Sequence, residues 1–213
     1  TRLAYCAVAV TTKRIPDSRH SETEVNLMAH AFFGGVHPKD MKAMSCDKAI
    51  QVFPAPKQVV IPMSQHIAAP CQPLVKKGDL VKVGQRIGDV DAPVSAPVHA
   101  SVSGEVISIE ESRTAMGSTD TFVVIASDGR QEPWEGLQIP HCETKDDFIK
   151  AVRDSGLVGL GGASFPTHVK FNPANLDECD TLIVNGAECE PFITSDHRTM
   201  LEDTQDIIAG MKL

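Results

Sequence analysis

The sequence predicts an α+β multidomain chain in which a β-rich module precedes the opening of an α/β layer. Between Val59 and Glu110, short β-branched runs alternate with glycines, the period-two texture of strands and tight turns. From Thr144 the apolar spacing changes to that of a helix. Helix, glycine-dense loop, strand and helix then follow in the order that builds an α/β layer, beginning near residue 140.

Bulk properties narrow the function. The 213 residues leave room for two small domains, and 42% hydrophobic with 23% charged residues is ordinary for a globular chain. A formal charge of -8 without a compensating Lys/Arg run disfavours a nucleic-acid partner. The longest apolar stretches, such as Leu3 to Val10, fall well short of the roughly 20 residues of a membrane span, so no direct span is expected. Six cysteines are scattered without a C-x-x-C pair, which argues for reduced thiols, with Cys71, Cys179 and Cys189 read as packing residues. His66, His99, His168 and His197 lack the i, i+4 spacing of a helical metal site, so no metal ligands are expected.

Taken in order, residues 1–31 have mixed character and read as a tail. Phe32 to Pro38 is rich in turn residues, and Val52 to Pro56 is a proline-stiffened extended segment. Short strands with tight turns are expected in Val59 to Pro62, Gly78 to Gly84 and Ser103 to Ile109. Thr144, with an acid three residues on at Asp147, caps a helix that carries Phe148, Ile149, Ala151 and Val152 up to Gly156. Asp146 and Asp147 early and Arg153 late complement its dipole. Asp180 to Asn185 reads as a buried strand. Ser195 is placed to cap a helix with Met200 and Leu201, and Asp203 another with Ile207, Ile208 and Met211.

Two motifs carry chemistry. Gly156 to Lys170 is a glycine-dense loop ending in Phe165, Pro166 and Lys170, a composition that lets backbone N–H groups and one cation approach a phosphate. An isolated glycine cluster serves equally well to let a helix pack tightly. The second motif, Val184 to Asp196, follows the strand, where open α/β sheets bind ligands. It presents the amide of Asn185 and the carboxylates of Glu188 and Glu190, groups that pair with a ring edge, ribose hydroxyls or a nicotinamide amide.

Lys77 to Gly88, Ala96 to Val98 and Val102 to Val106 resemble the barrel-sandwich hybrid of lipoyl and biotinyl carrier domains, whose prosthetic group hangs on a hairpin lysine. Here the corresponding hairpin, Asp89 to Pro97, holds no lysine, so the fold is expected without the carrier function. The glycine loop and the Asn185 turn together resemble the flavoprotein subunit of respiratory complex I and, more closely, the RnfC family of Rnf electron-transport complexes. Gly34 to Pro38, Pro62 to Ile67 and Val94 to Gly104 look like the N-terminal module of that family.

The resemblance implies a tail over 1–31, a barrel-sandwich domain over 32–138, and over 139–213 the first part of a Rossmann-like FMN- and NADH-binding domain. It implies that Gly159, Gly161, Gly162 and Lys170 cradle the flavin phosphate, that Asn185 and Glu188 touch the flavin, and that Phe165 and Glu190 meet NADH. It singles out no catalytic residue. Ser164 stands where the complex I pattern has glycine, and Ala187 where it has aspartate. Family members continue into a region with two four-cysteine motifs for 4Fe-4S clusters, for which this chain supplies no ligands. The implied role is oxidation of NADH, peripherally at the cytoplasmic face of the cell membrane, in company with the other Rnf subunits and coupled to ion transport. The alternatives are a non-catalytic docking module of the same complex and a related clostridial electron-transfer paralogue.

Overall fold

The structure, a computed structural model, describes residues 7–11, 38–115, 117–160, 163–188 and 190–212. It divides into two compact units, one formed by residues 52–174 and the other by 1–51 together with 175–213.

The 52–174 unit is the β-rich module with the first helices attached. One antiparallel sheet has the order β2 (Gln58–Pro62), β8 (Thr119–Ser127), β7 (Gly104–Arg113), β4 (Leu80–Val81). A second has the order β3 (Gln72–Pro73), β5 (Arg86–Asp89), β6 (Val98–His99). The fold is a barrel-sandwich hybrid, as the resemblance to lipoyl and biotinyl carrier domains implies. Alternation does the sorting: Val123 and Ile125 of β8 and Val106 of β7 point inward and are fully buried, meeting Ile61, Met63 and Ile87 in one core. A bulge between Val106 and Ser108 shifts the β7–β8 register. Cys71 joins that core as a free thiol, donating to the Ala96 carbonyl at 3.2 Å, and burial pushes its titration up.

The helix expected after Thr144 is α1 (Lys145–Asp154), closed at its start by a reciprocal capping box between Thr144 and Asp147. Phe148 meets Phe171 edge to face with ring centroids 5.6 Å apart, which packs α1 on the short helix α2 (Thr167–Lys170). Arg153, which the sequence reading gave to the helix dipole, leaves the axis for the barrel hairpin. Its guanidinium donates to Asp89 Oδ1 at 2.9 Å, to the Val90 carbonyl at 3.1 Å and to Ser95 Oγ at 3.2 Å. Arg86 returns the contact to Asp154 at 3.1 Å. The lysine-free hairpin is therefore clamped by α1, with Ser95, Ala96 and Pro97 buried.

Burial works to raise the Asp89 carboxyl, but hydrogen bonds from Arg153 and the Val90 N–H, with the Arg153 and Arg86 charges, hold it below the usual range. A depressed carboxyl contributes stability that is present above its unfolded value of about 3.9 and is lost as pH falls through the folded value. The urea midpoint should accordingly fall on acidification below pH ~4. Asp89→Asn should flatten that fall, and an unchanged slope would remove Asp89 from the account.

In the other unit, β1 (Ala7–Thr11) pairs antiparallel with β9 (Thr181–Asn185), in register from Ala7 opposite Asn185 to Thr11 opposite Thr181. Thus part of the segment read as a tail forms a strand. The compact units also divide the chain differently from a boundary near 139, since α1 and α2 fall with the barrel. Expected as buried, β9 leaves Leu182 and Ile183 more than a third exposed, because its two-stranded ribbon has a single partner strand.

Two helices follow, α3 (Ser195–Glu202) and α4 (Thr204–Met211), the latter with Asp203 at its N-cap position as expected. The α3 N-cap is Thr194 rather than Ser195. Thr194 turns its hydroxyl to Ser45 Oγ at 3.0 Å, and a carboxylate from outside the helix takes over the capping. No helix among the described residues is long and apolar enough to cross a membrane.

Candidate functional site

The glycine loop leaves α1 at Gly156 and is closed at its neck. Val158 bridges Pro166, Gly159 N donates to Phe165 O at 2.8 Å, and Thr167 N donates to Leu157 O at 3.0 Å. Past this pairing, Leu160 is well exposed. Gly156 has φ +73°, and a Cβ there would lie 2.5 Å from the Pro97 carbonyl oxygen. Only glycine lets the loop start this close to the barrel.

Gly159 is buried at the neck, and a Cβ on it would lie 2.9 Å from Lys170 Nζ. The α2 lysine thus lies over a bare backbone position, and a cation beside a glycine backbone suits a phosphate oxygen. The structure therefore brings Gly159, Phe165 and Lys170 together. Gly161 and Gly162 lie outside the described residues. Ser164, at the position where complex I has glycine, takes φ +51°, the left-handed conformation that glycine favours. The departure thus changes the side chain and leaves the turn. His168, on α2, is 8% exposed, with Nδ1 unpartnered, and burial pushes its titration down.

The second motif lies in the other unit. Asn185 Oδ1 accepts from Ala187 N at 3.0 Å, so the side chain stabilises its own turn. Gly186 backs onto Met200 of α3, with the sulfur 2.7 Å from where a Cβ would stand. Asn185 and Glu190 are exposed, and Cys189 lies outside the described residues. Glu188 behaves differently. Its side chain is 7% exposed, and its Oε1 accepts from Asp196 N at 2.7 Å and Ser195 Oγ at 3.3 Å, capping α3 from outside.

Lys42, which the sequence reading missed, stands 3.7 Å from Glu188 Oε2. Burial and the nearby Glu188 and Glu190 charges push the Asp196 carboxyl up, with Lys42 pulling the other way. Nothing in the local sequence announces Lys42, because it reaches this motif from 146 residues away.

Residues 30–130 match the model of the RnfC barrel sandwich hybrid domain, and residues 152–213 that of the Nuo51 FMN-binding domain. The chain is 43% identical over 195 residues to the C subunit of the Na(+)-translocating ferredoxin:NAD(+) oxidoreductase complex of Acetobacterium woodii. The chain is similar to RnfC-family subunits along most of its length. That first match covers 89% of the chain and 43% of the relative. The C subunit of the proton-translocating ferredoxin:NAD(+) oxidoreductase complex of Clostridium ljungdahlii is 42% identical over 87% of the chain and 41% of its own length. The C subunit of the ion-translocating oxidoreductase complex of Rhodobacter capsulatus is 36% identical over 87% of the chain and 36% of its own length. The chain spans less than half the length of these RnfC-family relatives.

Proposed function

We propose that this chain provides the barrel-sandwich module and the flavin-binding opening of a subunit of an ion-translocating oxidoreductase complex, in which NADH delivers electrons to FMN. The observation that carries the reading is the closed glycine loop, with Lys170 over Gly159, inside the stretch that matches an FMN-binding domain. Bound FMN supplies an acceptor for a hydride and a donor of single electrons.

The chain's own part is binding and orientation. The backbone at Gly159, Gly161 and Gly162 and the Lys170 ammonium hold the phosphate. Asn185 orients the flavin, and Phe165 and Glu190 receive the nicotinamide nucleotide, the ring by stacking and the carboxylate by accepting from hydroxyl or amide groups. Functionally we divide the chain into a barrel module over 32–138 and a nucleotide-binding part from 139 onward. Electrons leave through iron–sulfur clusters, whose cysteine ligands this chain does not carry, towards partner subunits that hold it at the cytoplasmic face of the membrane.

The test is an anaerobic fluorescence titration of FMN with the 213-residue chain, followed by NADH. Saturable quenching followed by flavin bleaching is expected. Lys170→Ala should weaken FMN by roughly tenfold or more, the worth of one hydrogen bond to a charged group. Glu190→Gln should leave FMN binding within about twofold and weaken NADH by a comparable factor. Equal binding by all three proteins would overturn the site.

A further inference from the structure

The residues 40–45 precede the barrel in sequence, yet their polar groups converge on the turn after β9. Lys42 Nζ donates to the Ile193 carbonyl at 2.9 Å and to the Glu188 carbonyl at 3.3 Å, the two ends of the turn, and faces the Glu188 carboxylate at 3.7 Å. Phe192 between them has φ +70°, a left-handed conformation that a non-glycine residue keeps only where its surroundings impose it. Phe192 N donates to the Asp40 carbonyl at 2.8 Å, and Ser45 Oγ donates to the Phe192 carbonyl at 3.2 Å.

We propose that Lys42 and Glu188 are a positioning pair, in which Lys42 fastens both ends of the turn and Glu188 ties it to the start of α3, so that Asn185 and Glu190 are presented in fixed geometry. Three features support this. Lys42 is the one side chain among the described residues that donates to both the Glu188 and Ile193 carbonyls. The Glu188 carboxylate is almost covered, and its oxygens are engaged by Asp196 N, Ser195 Oγ and Lys42, so it acts through the turn and not on a ligand. Finally, Lys42 offsets repulsion among carboxylates that Asp196, Glu188 and Glu190 bring to one place. The link to ligand binding rests on the flavin reading above; the fastening itself does not.

The experiment compares the full chain with Lys42→Met and Lys42→Arg. Amide hydrogen exchange over residues 186–198 reads the turn, FMN titration reads the site, and the far-ultraviolet circular dichroism confirms that each protein is folded. Lys42→Met should speed exchange of the Phe192 and Asp196 amides by tenfold or more and weaken FMN by a similar factor. Lys42→Arg, which keeps the charge and donors, should restore both to within about threefold. Unchanged exchange in Lys42→Met overturns the positioning pair, whatever flavin does. Faster exchange rescued by arginine, in a wild-type chain that binds no FMN, upholds the pair and overturns the flavin reading of this chain instead.

Discussion

Arg153→Ala is expected to lower the unfolding free energy by about 2 kcal/mol, because it removes the guanidinium from a largely covered carboxylate and leaves Asp89 to Arg86 and the Val90 N–H alone. The guanidinium serves Asp89, the Val90 carbonyl and Ser95 Oγ at once, and Asp89 is 18% exposed, so water replaces little of what is removed. Arg153→Lys retains a charge but lacks the planar fork, and should recover less than half of the loss. Urea denaturation gives the size of the effect, and hydrogen exchange gives its place. Faster exchange should be concentrated in α1 and the glycine loop, with the β7–β8 amides protected as before. A loss shared evenly by all strands would mean that the clamp supports the barrel rather than the loop.

Gly156→Ala should cost a further-reaching ~2–3 kcal/mol, composed of left-handed backbone strain and a clash that cannot relax cheaply. The new Cβ would lie 2.5 Å from the Pro97 carbonyl oxygen and 2.8 Å from His99 Nδ1, one of them a main-chain atom of the buried hairpin. Gly129 provides the control. Its φ of +72° is nearly the same, and no atom stands within 4 Å of its Cβ position. Gly129→Ala should therefore show the strain alone, about 1 kcal/mol, and the difference between the two variants isolates the contact with the barrel. Equal losses would show that Gly156 is needed for its dihedral angle and not for the approach. Under the flavin reading, Gly156→Ala should also weaken FMN, since it moves the root of the loop that bears Gly159 and Lys170.

What was legible in the sequence followed from short-range physics. The Thr144–Asp147 capping box, the period-two runs that became β2, β4 and β7, and the missing hairpin lysine all depend on residues a few positions apart. What was not legible depends on closure of distant chain. Arg153 read as a dipole complement because Asp89 is 64 residues away. The burial of β9 was overestimated from Leu182, Ile183 and Val184, since an apolar run specifies a preference for cover and does not supply the covering layer. Of the site, the glycine neck was visible as composition. The fastening by Lys42 was not, having no local signature.

Because the unit containing β9 draws on residues before and after 52–174, which form an uninterrupted unit, it closes only once that stretch has been synthesised. A ribosome adding about 5–20 residues per second needs on the order of 6–25 s to pass that stretch. During this interval the Lys42 segment waits for the Glu188 turn, while the barrel has all of its own strands. The barrel is therefore expected to fold first on the nascent chain, and the closing of the discontinuous unit becomes the late, slow event at which assembly can be delayed or helped.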